Sequence, residues 1–137
     1  VQVRTQTSVG IILLLMISLL GCTKSHHKED FIGQWEGRSL TIYYPHNPSL
    51  NVKSKIKLSL YDNDSFLLTS SKIQCRQPDF GKFEVVSNQL RLKKYSRFED
   101  ANYTDTFNIL SQKNDSLVLN INTIGIETSL WLKKATE

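Results

Sequence analysis

The sequence lacks concentrated charge of either sign. Its 137 residues hold 17 Lys and Arg against 13 Asp and Glu, spread along the chain. The resulting net charge of +4 does not build the dense basic face that nucleic acid requires, so nucleic acid is excluded as a partner. Cysteine is scarce, with only Cys22 and Cys75, and stability must come from a hydrophobic core. Catalytic signatures are missing as well: there is no phosphate loop, zinc-ligand spacing or nucleophile elbow. The acids Glu84, Glu99, Asp100, Asp105 and Glu127 fall mostly at outward or loop positions and form no assignable carboxylate pair. His46 lies in a turn-like YPHNPS segment and offers Cys75 no activating base. We therefore assign no catalytic residue, metal ligand or cofactor and read the chain as non-enzymatic. Its length suits one domain with one core.

A long hydrophobic run is also absent, but a short one is present. Residues 9–20, VGIILLLMISLL, follow a region whose only charge is Arg4 and precede Gly21 and Cys22. Twelve apolar residues fall short of the roughly 20 that cross a bilayer as a helix, and the layout is that of a signal peptide. The residues Leu19, Leu20, Gly21 and Cys22 resemble the lipobox of bacterial lipoproteins. That resemblance implies cleavage between Gly21 and Cys22, a diacylglyceryl group on the Cys22 thiol and acylation (palmitate or a similar chain) of the new N-terminus. Two or more acyl chains anchor a protein stably where one does not. An ordinary secretory signal followed by a chance Cys is the competing reading. The first residue is Val rather than Met, pointing to an alternative start codon or a clipped N-terminus.

On this reading residues 1–21 are a signal peptide, 22–30 a lipidated Cys with a polar tether, and 31–137 the folded domain. The expected partner of the N-terminus is the membrane, and the expected location is the cell envelope. Thr23 after the Cys, where an acidic residue would signal retention, resembles the sorting pattern of outer-membrane lipoproteins in Gram-negative bacteria. His26 and His27 stand on the polar tether without fixed ligand geometry and are read as solvated. With Cys22 lipidated, Cys75 has no intramolecular partner, and a buried or half-buried structural thiol is expected there.

From Phe31 onward helical periodicity is absent and short alternating runs recur between turn signals. Ile56, Leu58 and Leu60 alternate with lysine and serine, the run DNDS at 62–65 marks a turn by Asx chemistry, and residues 66–69 return. Phe83 and Val85 lead through Ser87, Asn88 and Gln89 to Leu90 and Leu92. Residues 103–110 connect through 112–116 to Leu117, Leu119 and Ile121, which hairpin near 122–125 into Ile126, Leu130 and Leu132. With a first strand at about 33–44 the count is eight. The short connections predict an all-β, antiparallel up-and-down meander closed as a small barrel, the last strand sealing against the first. In the first strand the apolar parity shifts between Trp35 and the Leu40, Ile42, Tyr44 set, predicting a bulge or sharp bend at Gly37.

The Gly33, Gln34, Trp35 motif opening the first strand, the run from Gly81 to Val85 into Leu90 and Leu92, and the final hairpin together resemble small bacterial lipocalin-like envelope lipoproteins. The resemblance covers residues 31–134. It implies that Trp35 plugs one end of the barrel. Some such relatives carry a Cys-x-x-Cys for metal or redox sensing; here only Cys75 is available and that role does not transfer.

Eight strands enclose an interior that is either filled by side chains or holds one small ligand. Candidate residues for core or ligand lining are Trp35, Leu58, Leu60, Phe83, Leu92, Phe107, Leu119 and Leu130, within an inward set that also takes in Ile42, Ile124 and Ile126. The bulk of that set favours a filled interior, and with it a protein-interaction or structural module working with an envelope protein; a carrier of a small apolar ligand is the alternative. The basic run Arg91, Lys93, Lys94 and Arg97 reads as an outer, solubilising face or as a surface attracting anions. Tyr95, Phe98 and Tyr103 either make contacts at a barrel mouth or cover its end.

Overall fold

A computed structural model describes residues 25–44, 50–71, 78–96 and 101–136 of the chain. Eight antiparallel strands follow a short 3-10 turn at Lys28–Phe31: β1 (Gly33–Tyr43), β2 (Val52–Leu60), β3 (Ser65–Ser70), β4 (Asp79–Val86), β5 (Gln89–Ser96), β6 (Ala101–Gln112), β7 (Ser116–Thr123) and β8 (Ile126–Lys134). Each strand pairs with the next, and β8 pairs with β1 from Trp35↔Lys134 to Tyr43↔Ile126, so the sheet closes as the alternation predicts. The lipobox at Gly21 and Cys22, together with Cys75, His46, Arg97 and Phe98, lies outside the described residues.

Turn chemistry sets the registers. Between β2 and β3 Asp64 takes a positive φ of 67°, and the Asn63 side chain accepts a bond from the Ser65 amide at 3.1 Å. This is the Asx turn expected from DNDS. Ser87 has a positive φ of 54° between β4 and β5, where the pair Val86↔Gln89 closes a two-residue connection. Ile124 and Gly125 join β7 to β8, and Gly125 takes the left-handed φ of 76°.

Two expectations for the strands are corrected. β1 keeps one uninterrupted register against both neighbours, so no bulge interrupts it at Gly37. Instead β8 approaches so closely there that a Cβ on Gly37 would stand 1.8 Å from the Trp131 carbonyl oxygen. The inward parity runs on through Ser39, which is buried, so Ile42 belongs to the outer face. The register shift falls in β6, between Ile109 and Ser111. Ile124 sits at the turn, fully exposed, and Ile126 stands at the rim with 37% of its surface open.

The closed end holds a packed core. Trp35, Leu58, Leu60, Phe66, Leu90, Leu92, Leu117 and Leu119 are essentially inaccessible. The sequence-picked set of Trp35, Leu58, Leu60, Phe83, Leu92, Phe107, Leu119 and Leu130 is buried throughout. Phe31, absent from the inward set, is fully buried too. It closes this end from below, its carbonyl accepting a bond from Trp35 Nε1 at 2.8 Å, while Lys134 Nζ lies 5.4 Å from the indole centroid. The stretch read as solvated tether is docked from His26 on: His26 Nε2 bonds Asn88 Oδ1 at 3.0 Å, and Lys28 pairs with Asp64.

Candidate functional site

Pairing registers fix which side chains enter the barrel. Phe83, Leu92 and Phe107 point inward, and residues an even number of positions away along the same strands do likewise. By that rule Asp79 on β4, Lys94 on β5 and Asp105 on β6 all face the interior, near the end of the barrel opposite Phe31. Lys94 Nζ lies 2.8 Å from Asp105 Oδ2 and 3.6 Å from Asp79 Oδ2. The three side chains retain only 23%, 35% and 29% of their exposure for Lys94, Asp105 and Asp79. A charged trio is thus held across three adjacent strands inside the mouth of a barrel whose other half is apolar.

Around the trio the lining is mixed. Leu68 and Ile121, half-buried, pack on the upper edge of the core. Tyr43, Tyr103 and Ile126 stand at the rim, between 37% and 39% exposed. Thr41 and Thr128 share a hydroxyl–hydroxyl bond of 3.0 Å. Ser39 is inward and 93% buried, since only 7% of its surface is open. By topology the β1–β2, β3–β4, β5–β6 and β7–β8 connections all join strands at this end, and the β2–β3, β4–β5 and β6–β7 turns all lie at the Phe31 end. The trio thus lies at the end of the barrel away from Phe31, with the hydrophobic core beneath it.

These contacts reassign several sequence expectations. Within the basic run, Arg91 and Lys93 are outward as the alternation indicates, but both are taken up by Glu84, at 3.5 and 3.1 Å. The hydrogen bond from Lys93, reinforced by its charge and that of Arg91, holds the Glu84 carboxyl below its ordinary value. Lys94 is not part of that surface; it is the interior cation. Asp105, read as outward or in a loop, is its partner. Tyr103 belongs to the mouth, whereas Tyr95 is on the outer face. Glu127 is bonded on the outer face by Tyr44 Oη at 2.8 Å and Asn120 Nδ2 at 3.1 Å. Donation to that carboxylate, and its charge, raise the Tyr44 pKa. Among the described residues no group of three or more His, Cys, Asp or Glu side chains is arranged to hold a metal ion.

The one sequence signal that pointed to the interior trio was parity. Lys94 follows Lys93 in a lysine pair, and only a secure inward assignment of Leu90 and Leu92 puts Lys94 inside. Asp105 likewise shares the parity of Phe107 and Ile109.

A lipocalin-like protein from Bacteroides uniformis superposes on this chain with a TM-score of 0.53 at 17% identity, covering 77% of this chain and 99% of that one. The fold is lipocalin-like. At this identity the likeness carries the architecture alone. No family model and no curated protein matches the sequence.

Proposed function

We propose that this lipocalin-like chain is a binder or carrier of one small amphipathic molecule, seated in the half of the barrel away from Phe31. One observation carries the reading: the Asp79, Lys94 and Asp105 trio faces inward at the mouth. Charges drawn partly out of water are costly unless fully partnered, and a barrel serving only as a scaffold has no use for them there. In a binder they fix the polar end of a ligand while Leu68, Ile121 and Ile126 take its apolar portion. The interaction or structural module favoured by the bulk of the inward set accounts for the packed closed half but leaves this lining unexplained.

The lipid anchor on Cys22 and an outer-membrane location belong to the same proposal, resting on the lipobox resemblance. A non-enzymatic role is likewise proposed, since the interior charges are engaged with one another and the sequence carries no catalytic signature.

The test is binding of an apolar fluorescent probe, N-phenyl-1-naphthylamine, to the domain from residue 23 on. Saturable one-to-one binding is expected, with loss of binding in Leu68→Trp, which fills the mouth, and retention in the outer-face variant Trp131→Phe. Equal probe emission in all three proteins, or none in any, would overturn the proposal.

A further inference from the structure

The outer face of the barrel carries its own unexplained charge. On β2, Lys53, Lys55 and Lys57 point outward in succession. The register sets Lys55 directly opposite Arg38 on β1, and Lys57 and Lys133 on either side of Glu36. Lys57 Nζ binds Glu36 at 2.9 Å. Arg38, Lys53 and Lys55 have no ion pair with any described residue. Like charges directly opposite each other on a sheet destabilise it, so the Arg38 and Lys55 pair is tolerated at a cost. The nearest other acid of this face, Glu127, is two rows toward the rim and engaged by Tyr44 and Asn120.

Beside this basic field runs an apolar strip. Trp131 on β8 stands opposite both Arg38 and Val118, and 48% of it is open to solvent. Leu110, the residue at the β6 register shift beside Val118, is 62% exposed. Two shallow grooves of about 510 and 430 Å³ share Arg38, Lys55 and Ser71, and the second reaches Trp131.

We propose that this face, from β6 across β7, β8 and β1 to β2, docks on the surface of an anionic phospholipid bilayer. Trp131 and Leu110 enter the headgroup region, where an indole is at home. Arg38, Lys53, Lys55 and Lys133 meet the lipid phosphates, and the grooves have room for single headgroups. Cations beside exposed apolar side chains are the pattern of surface-lying membrane contacts. An acidic soluble partner would match the charge but leaves the Trp131 and Leu110 strip without a role. The barrel would then lie on its side, with the ligand mouth opening along the membrane rather than away from it. This inference does not depend on the carrier reading.

The experiment uses the full chain mixed with lipid vesicles. Trp131 emission is followed with brominated lipids as quenchers. Trp35, sealed inside the barrel, supplies a constant background that is measured in Trp131→Phe. Quenching of Trp131 is expected in vesicles with 30% phosphatidylglycerol, to fall at least severalfold in pure phosphatidylcholine, and to weaken at 0.5 M NaCl as screening shortens the range of the field. In the double variant Arg38→Gln/Lys55→Gln, which also removes the like-charge pair and so keeps the fold, binding of the face should drop roughly thirtyfold. Trp131 emission indifferent to lipid charge, or unchanged in the double variant, overturns the inference.

Discussion

Replacing Lys94 by Met removes the cation between two carboxylates while keeping most of the side chain's bulk. Lys94 Nζ is 2.8 Å from Asp105 and 3.6 Å from Asp79, with a quarter to a third of each side chain exposed. Solvent-exposed pairs contribute about 0.2–1 kcal/mol, and breaking a fully buried pair costs about 3–5 kcal/mol because a charge is stranded. Partial burial places this site between them, so the expected loss is about 2 kcal/mol. Urea unfolding of the domain from residue 23 on should show it as a fall in midpoint of about 1–2 M at an m-value near 1–1.5 kcal/mol/M. The triple variant Asp79→Asn/Lys94→Met/Asp105→Asn carries no stranded charge and should recover most of the loss. A midpoint shift below about 0.3 M in Lys94→Met, or no recovery in the triple variant, would refute the placement of these groups inside the mouth.

Gly37→Ala should part β1 from β8, because the new Cβ would stand 1.8 Å from the Trp131 carbonyl; a loss of about 3 kcal/mol should appear as a melting temperature lower by at least about 10 °C. Phe31→Ala empties the closed end and strips the packing from Trp35, costing about 3–5 kcal/mol, measurable by the same melts. Ile124→Asn should change stability by less than about 0.5 kcal/mol, since Ile124 is fully exposed at the β7–β8 turn. Asp64, through its bond from Lys28, and Glu84, through its bond from Lys93, are held below their ordinary values of 3.8 and 4.5. Their contribution is present above those values and is lost as pH falls through the depressed ones. The melting temperature should therefore begin to drop below about pH 4.5, and less steeply in Lys93→Met, as followed by circular dichroism.

The barrel was legible because alternation and turn chemistry agree along most of the chain. Ile56, Leu58 and Leu60 leading into DNDS, and Leu117, Leu119 and Ile121 leading into a glycine turn, each specify a strand, a face and a register. Strand β1 was misread at Ile42 because an inward serine, Ser39, and a glycine whose role is close approach interrupt the apolar signal, while the outward Leu40 and Ile42 imitate it. Ile124 was misread because parity was carried through a turn, where it has no meaning. Phe31 escaped notice because a single 3-10 turn has no periodicity to read.

The site was less legible for a different reason. Lys94 and Asp105 look like surface residues, and only closure of the sheet turns their shared parity into a common interior. Nothing in the order of residues shows that β1 and β2 place Arg38 and Lys55 face to face. Long-range register supplies that information, and register follows from the closed barrel as a whole.

The central claim, that the half of the barrel holding the Asp79, Lys94 and Asp105 trio binds a small amphipathic molecule, is tested most directly by native mass spectrometry of the protein isolated gently from a bacterial envelope, compared with its denatured mass. We predict an additional mass that is lost on denaturation and is missing from Leu68→Trp isolated in the same way. A bare mass in the wild-type protein, repeated across growth conditions, would contradict the claim.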